Sequence, residues 1–197
     1  MKKINFSKKV LLVFLVLFVL SVDLFAGTRD HDGGFFLRMS GGLGIAQTTL
    51  EGNLMSFSGV TSSTNMAIGG GLFNNFALHA TAFGFLIPDP DVEVLGIPGT
   101  TSLDIMLSGV GVGVTYYMPV NIYISPSIGI GALSDEAGGG TGLGFALDLT
   151  LGKEWWVGGS WGLGVAGAFG FHSVPQSDAD IRWEGFDFAL RFSATLN

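Results

Sequence analysis

The feature that most constrains this chain is an alternation of apolar with small or polar residues, which recurs from residue 35 to the end. Residues 186–192, FDFALRF, show the pattern: phenylalanine and leucine alternate with aspartate, alanine and arginine. Successive side chains of a β-strand point to opposite faces, so a period of two predicts strands with one apolar face and one small or polar face. The chain after its first segment is therefore expected to be all-β.

Eight segments have this alternation, and the lengths of their connections also alternate. The segments are 35–46, 64–73, 76–87, 102–117, 122–133, 141–152, 155–171 and 182–196. Tight turns are expected at 74–75, 118–121 and 153–154, and longer loops at 47–63, 88–101, 134–140 and 172–181. A change of parity at Ser108–Gly109 predicts a β-bulge. An even number of strands, with short turns at one rim and longer loops at the other, is typical of a transmembrane β-barrel.

The choice between a membrane barrel and a water-soluble barrel depends on which face of the strands is apolar. Eight-stranded barrels also occur in water, as in lipocalins, where the outer face carries charges. Here the non-apolar face consists mainly of glycine, alanine, serine and threonine; glycine alone accounts for 32 residues, and only 13% of residues are charged. Such a face suits the interior of an eight-stranded barrel, which is just wide enough for side chains to fill. Residues 27–197 are therefore predicted to form one eight-stranded antiparallel transmembrane β-barrel, with leucine, isoleucine, valine and phenylalanine facing lipid.

Residues 1–26 are expected to be a secretory signal peptide. Four lysines precede an unbroken apolar run from Val10 to Leu20, and Ala26 is suited to the position before the cut. The alternative is an uncleaved membrane anchor, for which the run is short. Without residues 1–26, five basic and fifteen acidic residues remain, a net charge near −10. This charge argues against nucleic acid as a partner, and the absence of cysteine excludes disulfides and thiolate catalysis.

Isolated polar residues on the small-residue face are expected to meet inside the barrel. They are Arg38, His79, Asp104, Asp148, Asp187 and Arg191. An arginine facing lipid at mid-depth costs about 2–4 kcal/mol, so we expect the two arginines to form an interior ion-pair network with the aspartates. This network is interpreted as a structural plug, and an ion or proton path is the alternative. His79 is expected to be a hydrogen-bonded interior residue rather than a ligand or catalyst.

Large aromatic residues near the predicted strand ends are expected to mark the membrane interfaces, where amphipathic rings are favoured. They are Tyr116, Trp155, Trp161 and Trp183. The adjacent Trp156 has the opposite parity and is expected to close the interior near the turn at Lys153–Glu154.

The sequence contains several weak matches to chemical motifs, and we predict no catalytic, cofactor or metal site from them. Gly162, Gly164 and Gly167 fit G-x-G-x-x-G but lie within strand-like alternation rather than before a helix. His172 and Ser173, with nearby acids at 178, 180 and 184, supply the residue types of a hydrolase, yet adjacent strand residues point apart. Loop acids at 89, 91 and 93 could bind calcium, although loop acids of this spacing are usually only solvated.

The signal segment, the eight amphipathic strands and the alternating connection lengths together resemble the small outer-membrane β-barrel proteins of Gram-negative bacteria, of the OmpA and OmpX type. The resemblance implies a location in the outer membrane, contact with its lipid and lipopolysaccharide, insertion by the barrel-assembly machinery, and a monomer. The resemblance specifies a fold rather than an activity, and we expect a structural or surface-interaction role through loops 47–63 and 88–101. The alternatives are a narrow channel or conduit for small or apolar molecules, and a lipid-modifying outer-membrane enzyme.

Overall fold

The computed structural model describes residues 33–73, 75–157, 159–177 and 179–197. The predicted signal peptide, residues 1–26, lies outside the described residues. None of the helices in these ranges is long and apolar enough to cross a membrane.

The described chain is dominated by antiparallel strands. They are β1 (Gly34–Leu50), β2 (Met55–Phe73), β3 (Phe76–Ile87), β4 (Asp91–Val94), β5 (Ile97–Thr100), β6 (Ile105–Tyr117), β7 (Ile122–Asp135), β8 (Gly144–Trp156), β9 (Trp161–Pro175) and β10 (Arg182–Leu196). Short 3₁₀ turns occupy Glu51–Asn53 and Pro119–Asn121. Each long strand pairs with its neighbours in the chain, and β1 pairs with both β2 and β10. This last pairing closes an eight-stranded barrel, as predicted, and closure leaves no strand edge exposed to lipid.

The two faces of the barrel wall follow the predicted alternation. On β10 from Arg182 to Ser193, residues with even numbers are exposed and residues with odd numbers are buried. The outer face carries a broad apolar belt, which includes Leu43, Ile68, Val112, Ile128, Leu163 and Phe188. The inner face carries small and polar residues. An exposed apolar surface of this extent is unsuited to water and suits lipid.

The barrel has two different rims. One rim, the terminal rim, carries both strand termini Gly34 and Leu196 and the connections 74–75, 118–121 and 157–160. The opposite rim, the loop rim, carries the connections 51–54, 88–104, 136–143 and 176–181. The turn predicted at Lys153–Glu154 was wrong, because both residues continue β8 and the connection follows Trp156.

The predicted loop 47–63 was also wrong, because β1 and β2 extend through most of it. The outward residues change there from apolar, at Leu43 and Ile45, to polar, at Gln47 and Thr49. The apolar alternation therefore ends while the strand continues, because the strand rises beyond the apolar belt. The inward threonines at 48 and 61 remain buried.

The predicted loop 88–101 contains a small hairpin. Strands β4 and β5 pair through a two-residue turn at Leu95–Gly96, where both residues have positive φ. Such a turn matches the twist of the paired strands. β4 also pairs with the outer end of β2, from Met55 to Ser58, so this hairpin prolongs the barrel wall at the loop rim.

The β-bulge predicted at Ser108–Gly109 is absent from the described strand β6. Its register against β3 and β7 is continuous across these residues. Ile105 and Leu107 point inward, whereas Val110 and Val112 point outward. The apolar residues of β6 therefore change from inward to outward positions without a bulge. The reason is that the barrel interior is apolar near the loop rim and polar in the middle.

Candidate functional site

Five of the six polar residues assigned to the interior lie inside the barrel. They are Arg38, His79, Asp148, Asp187 and Arg191, and each is at most 4% exposed. Each occupies an inward position of its strand. Burial of charged groups is costly unless they are paired and hydrogen-bonded, so their contacts decide what the interior can do.

The central cluster is built around Arg191 and Asp148. Arg191 Nη2 lies 2.6 Å from Asp148 Oδ2, and Nη1 donates to Oδ1 at 3.1 Å. Arg191 also donates to the Ser63 hydroxyl, which lies 3.3 Å from Asp187 Oδ2. Asn65 Nδ2 donates to Asp148 Oδ1 at 2.9 Å. The cluster therefore connects β2, β8 and β10 across the interior through charge-assisted hydrogen bonds, the strongest class.

A second cluster lies around Arg38. Its Nη2 donates to the Ser125 hydroxyl at 2.6 Å, and its guanidinium carbon lies 4.4 Å from the centroid of the Tyr123 ring. Thr115 links Ser125 to His79, with distances of 2.9 and 3.0 Å. The single ion-pair network expected from the sequence is therefore wrong for Arg38, which contacts a hydroxyl and aromatic rings. Cation–π contacts favour arginine in such a site.

Glu154 is an interior residue that the sequence analysis missed. It is 1% exposed and accepts hydrogen bonds from Tyr117 at 3.0 Å and from Thr195 at 2.6 Å. Its parity matches that of Asp148 and would have placed it inside. Because a turn was expected at 153–154, the strand parity of Glu154 was not considered.

Two residues predicted for the site lie elsewhere. Asp104 is outside the interior clusters: its Oδ1 accepts the Asp89 backbone N–H at 3.2 Å in the exposed loop before β6. Trp183, predicted at the membrane interface, points into the barrel and is 8% exposed. Its odd number on β10 gives it the inward parity of Asp187 and Arg191, and this parity outweighs its position near the strand end.

The other aromatic residues predicted at the interfaces lie on the outer surface near the terminal rim. Tyr116 and Trp161 are 46% and 44% exposed. Trp155 is half-buried, with Lys153 Nζ 5.9 Å from its ring centroid. Trp156 points inward and is 9% exposed.

His172 and Ser173 do not form a catalytic pair. His172 is fully buried, and its Nε2 lies 3.0 Å from the Thr48 hydroxyl. Ser173 instead bonds to Arg182 and Glu184 on the outer face. The two residues thus point to opposite faces of β9, as neighbouring residues in a strand do.

The acids 89, 91 and 93 lie at the exposed loop rim. Within the residues that the structure describes, no group of three or more histidine, aspartate or glutamate side chains could hold a metal ion. Gly162, Gly164 and Gly167 lie within β9. A glycine-rich nucleotide loop must open a helix, so this motif has the wrong context.

The interior becomes apolar towards the loop rim. Ala46, Phe85, Ile87, Ile105, Leu107, Leu133, Val174 and Trp183 form a buried cluster, against which Leu50, Met55 and Phe57 pack. A cavity of about 240 Å³ lies beside this cluster. The cavity is lined by Met55, Phe57, Ile105, Leu133 and Trp183, with polar residues that include Thr48, Asp135 and Gln176.

Comparison with known proteins identifies similar structures but no similar sequence. No protein-family model matches the chain. No curated protein matches it either.

Solved structures similar to this chain include outer-membrane barrels. Neisserial surface protein A is 12% identical, with a TM-score of 0.57 over 83% of this chain and 97% of that one. OprG from Pseudomonas aeruginosa is 10% identical, with a TM-score of 0.45 over 84% and 98% of the two chains. The attachment invasion locus protein Ail of Yersinia pestis is 9% identical, with a TM-score of 0.44 over 81% and 98% of the two chains. At sequence identities this low, the similarity shows a shared fold and nothing about a shared role.

Proposed function

Because the chain has the fold of the small eight-stranded outer-membrane β-barrels, we propose that it is an integral outer-membrane protein whose barrel is a sealed support for a surface-interaction role. In this proposal the terminal rim faces the periplasm and the loop rim faces outward. The observation that carries it is the central cluster, in which Arg191 and Asp148 bridge the interior with a 2.6 Å contact.

Further interior layers on both sides of the central cluster support a sealed barrel. Towards the terminal rim, Phe36, Ala67, Ala77, Tyr117, Tyr123 and Ala166 form a buried cluster. Towards the loop rim, the apolar cluster around Trp183 occupies the lumen beside the cavity. An eight-stranded barrel has room only for side chains, and here large side chains supply that filling.

The interior glycines, which favour a channel when only the sequence is considered, are compatible with this sealed barrel. A Cβ added at Gly152 would lie 2.7 Å from the Tyr123 ring. A Cβ added at Gly113 would meet His79 Cε1 and Ser127 Oγ. The space left by these glycines is thus occupied by neighbouring side chains.

The proposed partners follow from two surfaces of the barrel, the apolar belt and the loop rim. The apolar belt would contact lipid and lipopolysaccharide, after insertion by the barrel-assembly machinery, and the closed barrel would be stable as a monomer. The loop rim, with the hairpin of β4 and β5, would supply the interaction surface. Its carboxylates give this surface a negative potential, which favours partners with positive charge.

Planar-bilayer recording tests the sealed barrel. We expect the purified wild-type protein to give no steady single-channel current. The double variant Arg191→Ala/Asp148→Ala should also give no steady current, because the side-chain layers on both sides of the central cluster remain in place. The matched control Leu190→Ala changes the adjacent outward residue and should remain silent. Steady wild-type currents that disappear in Arg38→Ala would overturn the proposal in favour of a channel.

A further inference from the structure

The cavity at the loop rim has the features of a small-molecule site. Its walls come from residues of β1, β2, β6, β7 and β10, whose backbones are paired in the barrel, and from residues 139–141 and 176 of two loop-rim connections. Ligand sites are typically concave and mostly apolar, with a few polar groups that orient the ligand. The lining residues named above have this composition. The cavity is therefore built mainly on the barrel wall, with loop residues on one side.

The cavity volume limits the ligand to about one ring with a short chain. An apolar cavity of about 150 Å³ binds benzene, and pockets for drug-sized ligands start at about 300 Å³. The volume of about 240 Å³ lies between these values. A lipid acyl chain of full length would therefore not fit.

An aromatic wall defines one side of the cavity. The rings of Phe57 and Trp183 stack with centroids 5.6 Å apart and planes inclined by 24°. Trp183 Nε1 donates to Gln176 Oε1 at 2.7 Å, which fixes the indole orientation. The faces of indole and phenyl rings carry negative partial charge and attract cations. This wall therefore suits either an apolar ring or a positively charged group.

The charges at the rim favour a cation over an anion. The described residues at the loop rim include nine carboxylates, namely Glu51, Asp89, Asp91, Glu93, Asp104, Asp135, Glu136, Asp180 and Glu184, and one base, Arg182. Asp135 lines the cavity itself, and its Oδ1 accepts the Gly139 backbone N–H at 2.9 Å. A cleft with charges of one sign concentrates ligands of the opposite sign.

The cavity ends inside the barrel at a closed floor. Thr48 lines the cavity, and its hydroxyl lies 3.0 Å from Nε2 of the fully buried His172. The Phe85 ring lies 5.7 Å from the His172 ring, and its side chain is also buried. A ligand entering from the loop rim would stop at this floor, so the cavity is suited to binding rather than to passage.

We propose that this cavity binds a small apolar molecule, with one ring or a short alkyl group, that carries a single protonated amine. The apolar part contacts Ile105, Leu133 and the aromatic wall, and the amine lies at the rim near Asp135. This site is additional to the proposed surface role and does not depend on whether the barrel conducts ions.

The test uses three probes of matched size and different charge: 2-phenylethylamine, 2-phenylethanol and 3-phenylpropanoate. Each is titrated into the full barrel in lipid nanodiscs, and the indole N–H resonance of Trp183 is followed by NMR. The resonance is assigned by its loss in Trp183→Phe. We expect a saturable shift with the amine, with at least tenfold weaker binding of the carboxylate and intermediate binding of the alcohol.

Variants locate the binding within the cavity. Ile105→Phe and Leu133→Phe fill it from β6 and β7, and each should weaken amine binding at least tenfold. The matched control Ile97→Phe makes the same change at an exposed position of β5 and should bind as the wild type does. A heat-modifiability gel confirms that each variant is folded. No saturable shift, equal binding of amine and carboxylate, or unchanged binding in both folded filling variants would overturn the proposal.

Discussion

Arg191 Nη2 and Asp148 Oδ2 lie 2.6 Å apart inside the barrel, although β9 separates their strands. The contact therefore passes over the inner face of β9, and hydrogen bonds from the pair to Asn65 and Ser63 reach β2 on the other side of the lumen. Both side chains are almost completely buried, at 1% and 2% exposure. Loss of either one leaves a buried charge without its partner, which is much more costly than replacing both by apolar residues.

The first prediction concerns this ion pair. Arg191→Met should lower the free energy of unfolding by about 3–5 kcal/mol, because Asp148 remains buried without its counter-ion. Urea unfolding of the barrel from lipid vesicles measures the change. The double variant Arg191→Met/Asp148→Leu should recover most of the loss. A single variant as stable as the wild type would show that the pair contributes little.

A second prediction concerns Glu154, which accepts hydrogen bonds from Tyr117 and Thr195. Glu154→Ala removes the acceptor of two buried hydroxyl groups, and each loss of a buried hydrogen bond costs about 1–3 kcal/mol. We expect a loss of stability in this range or somewhat above it, measured by the same unfolding experiment. Glu154→Gln retains an acceptor oxygen and should be less destabilising. Equal stability of Glu154→Ala and wild type would contradict an energetic role for these bonds.

The barrel architecture was predictable from the sequence because lipid imposes one periodicity on every spanning strand. The outward residues must be apolar, so alternation is visible wherever the strand crosses the belt. Beyond the belt this requirement ends. The outer parts of β1 and β2 therefore appeared to be a loop, and the inward Ile105 appeared to shift the parity of β6.

The interior polar residues were partly predictable for the same reason. Parity placed Arg38, Asp148 and Arg191 inside, but it contains no information on which of them meet. Arg38 contacts Ser125 and Tyr123 because the closed barrel brings β1 opposite β7. Trp183 shows that parity predicts orientation better than residue type does, since an interfacial residue type occupies an inward position.

A third prediction compares two glycines on the two faces of the wall. A Cβ at Gly152 would lie 2.7 Å from Ala166 Cβ and from the Tyr123 ring, whereas a Cβ at Gly167 would meet no atom within 4 Å. Gly152→Ala should therefore destabilise the barrel by about 1–3 kcal/mol through overpacking. Gly167→Ala should be neutral or stabilising by up to about 1 kcal/mol, because alanine restricts the unfolded chain. The same unfolding assay compares the pair, and equal effects would contradict a tightly filled interior at Gly152.

The last prediction tests whether the outer face of the barrel contacts lipid. It places an arginine on that face at two different depths in the membrane. Leu190 is 50% exposed and lies at the centre of the outward apolar residues of β10, next to the inward Arg191. Leu190→Arg should cost about 2–4 kcal/mol, because the charge would lie at the bilayer midplane. Val157→Arg, at an exposed position of the terminal rim, should cost at most about 1 kcal/mol, because water and headgroups solvate it there. Unfolding from vesicles measures both variants, and a heat-modifiability gel after membrane fractionation shows whether each inserts. Equal costs at the two positions would be incompatible with a lipid-facing outer surface, whereas a cost confined to Leu190 would show that this position lies in the apolar part of the bilayer.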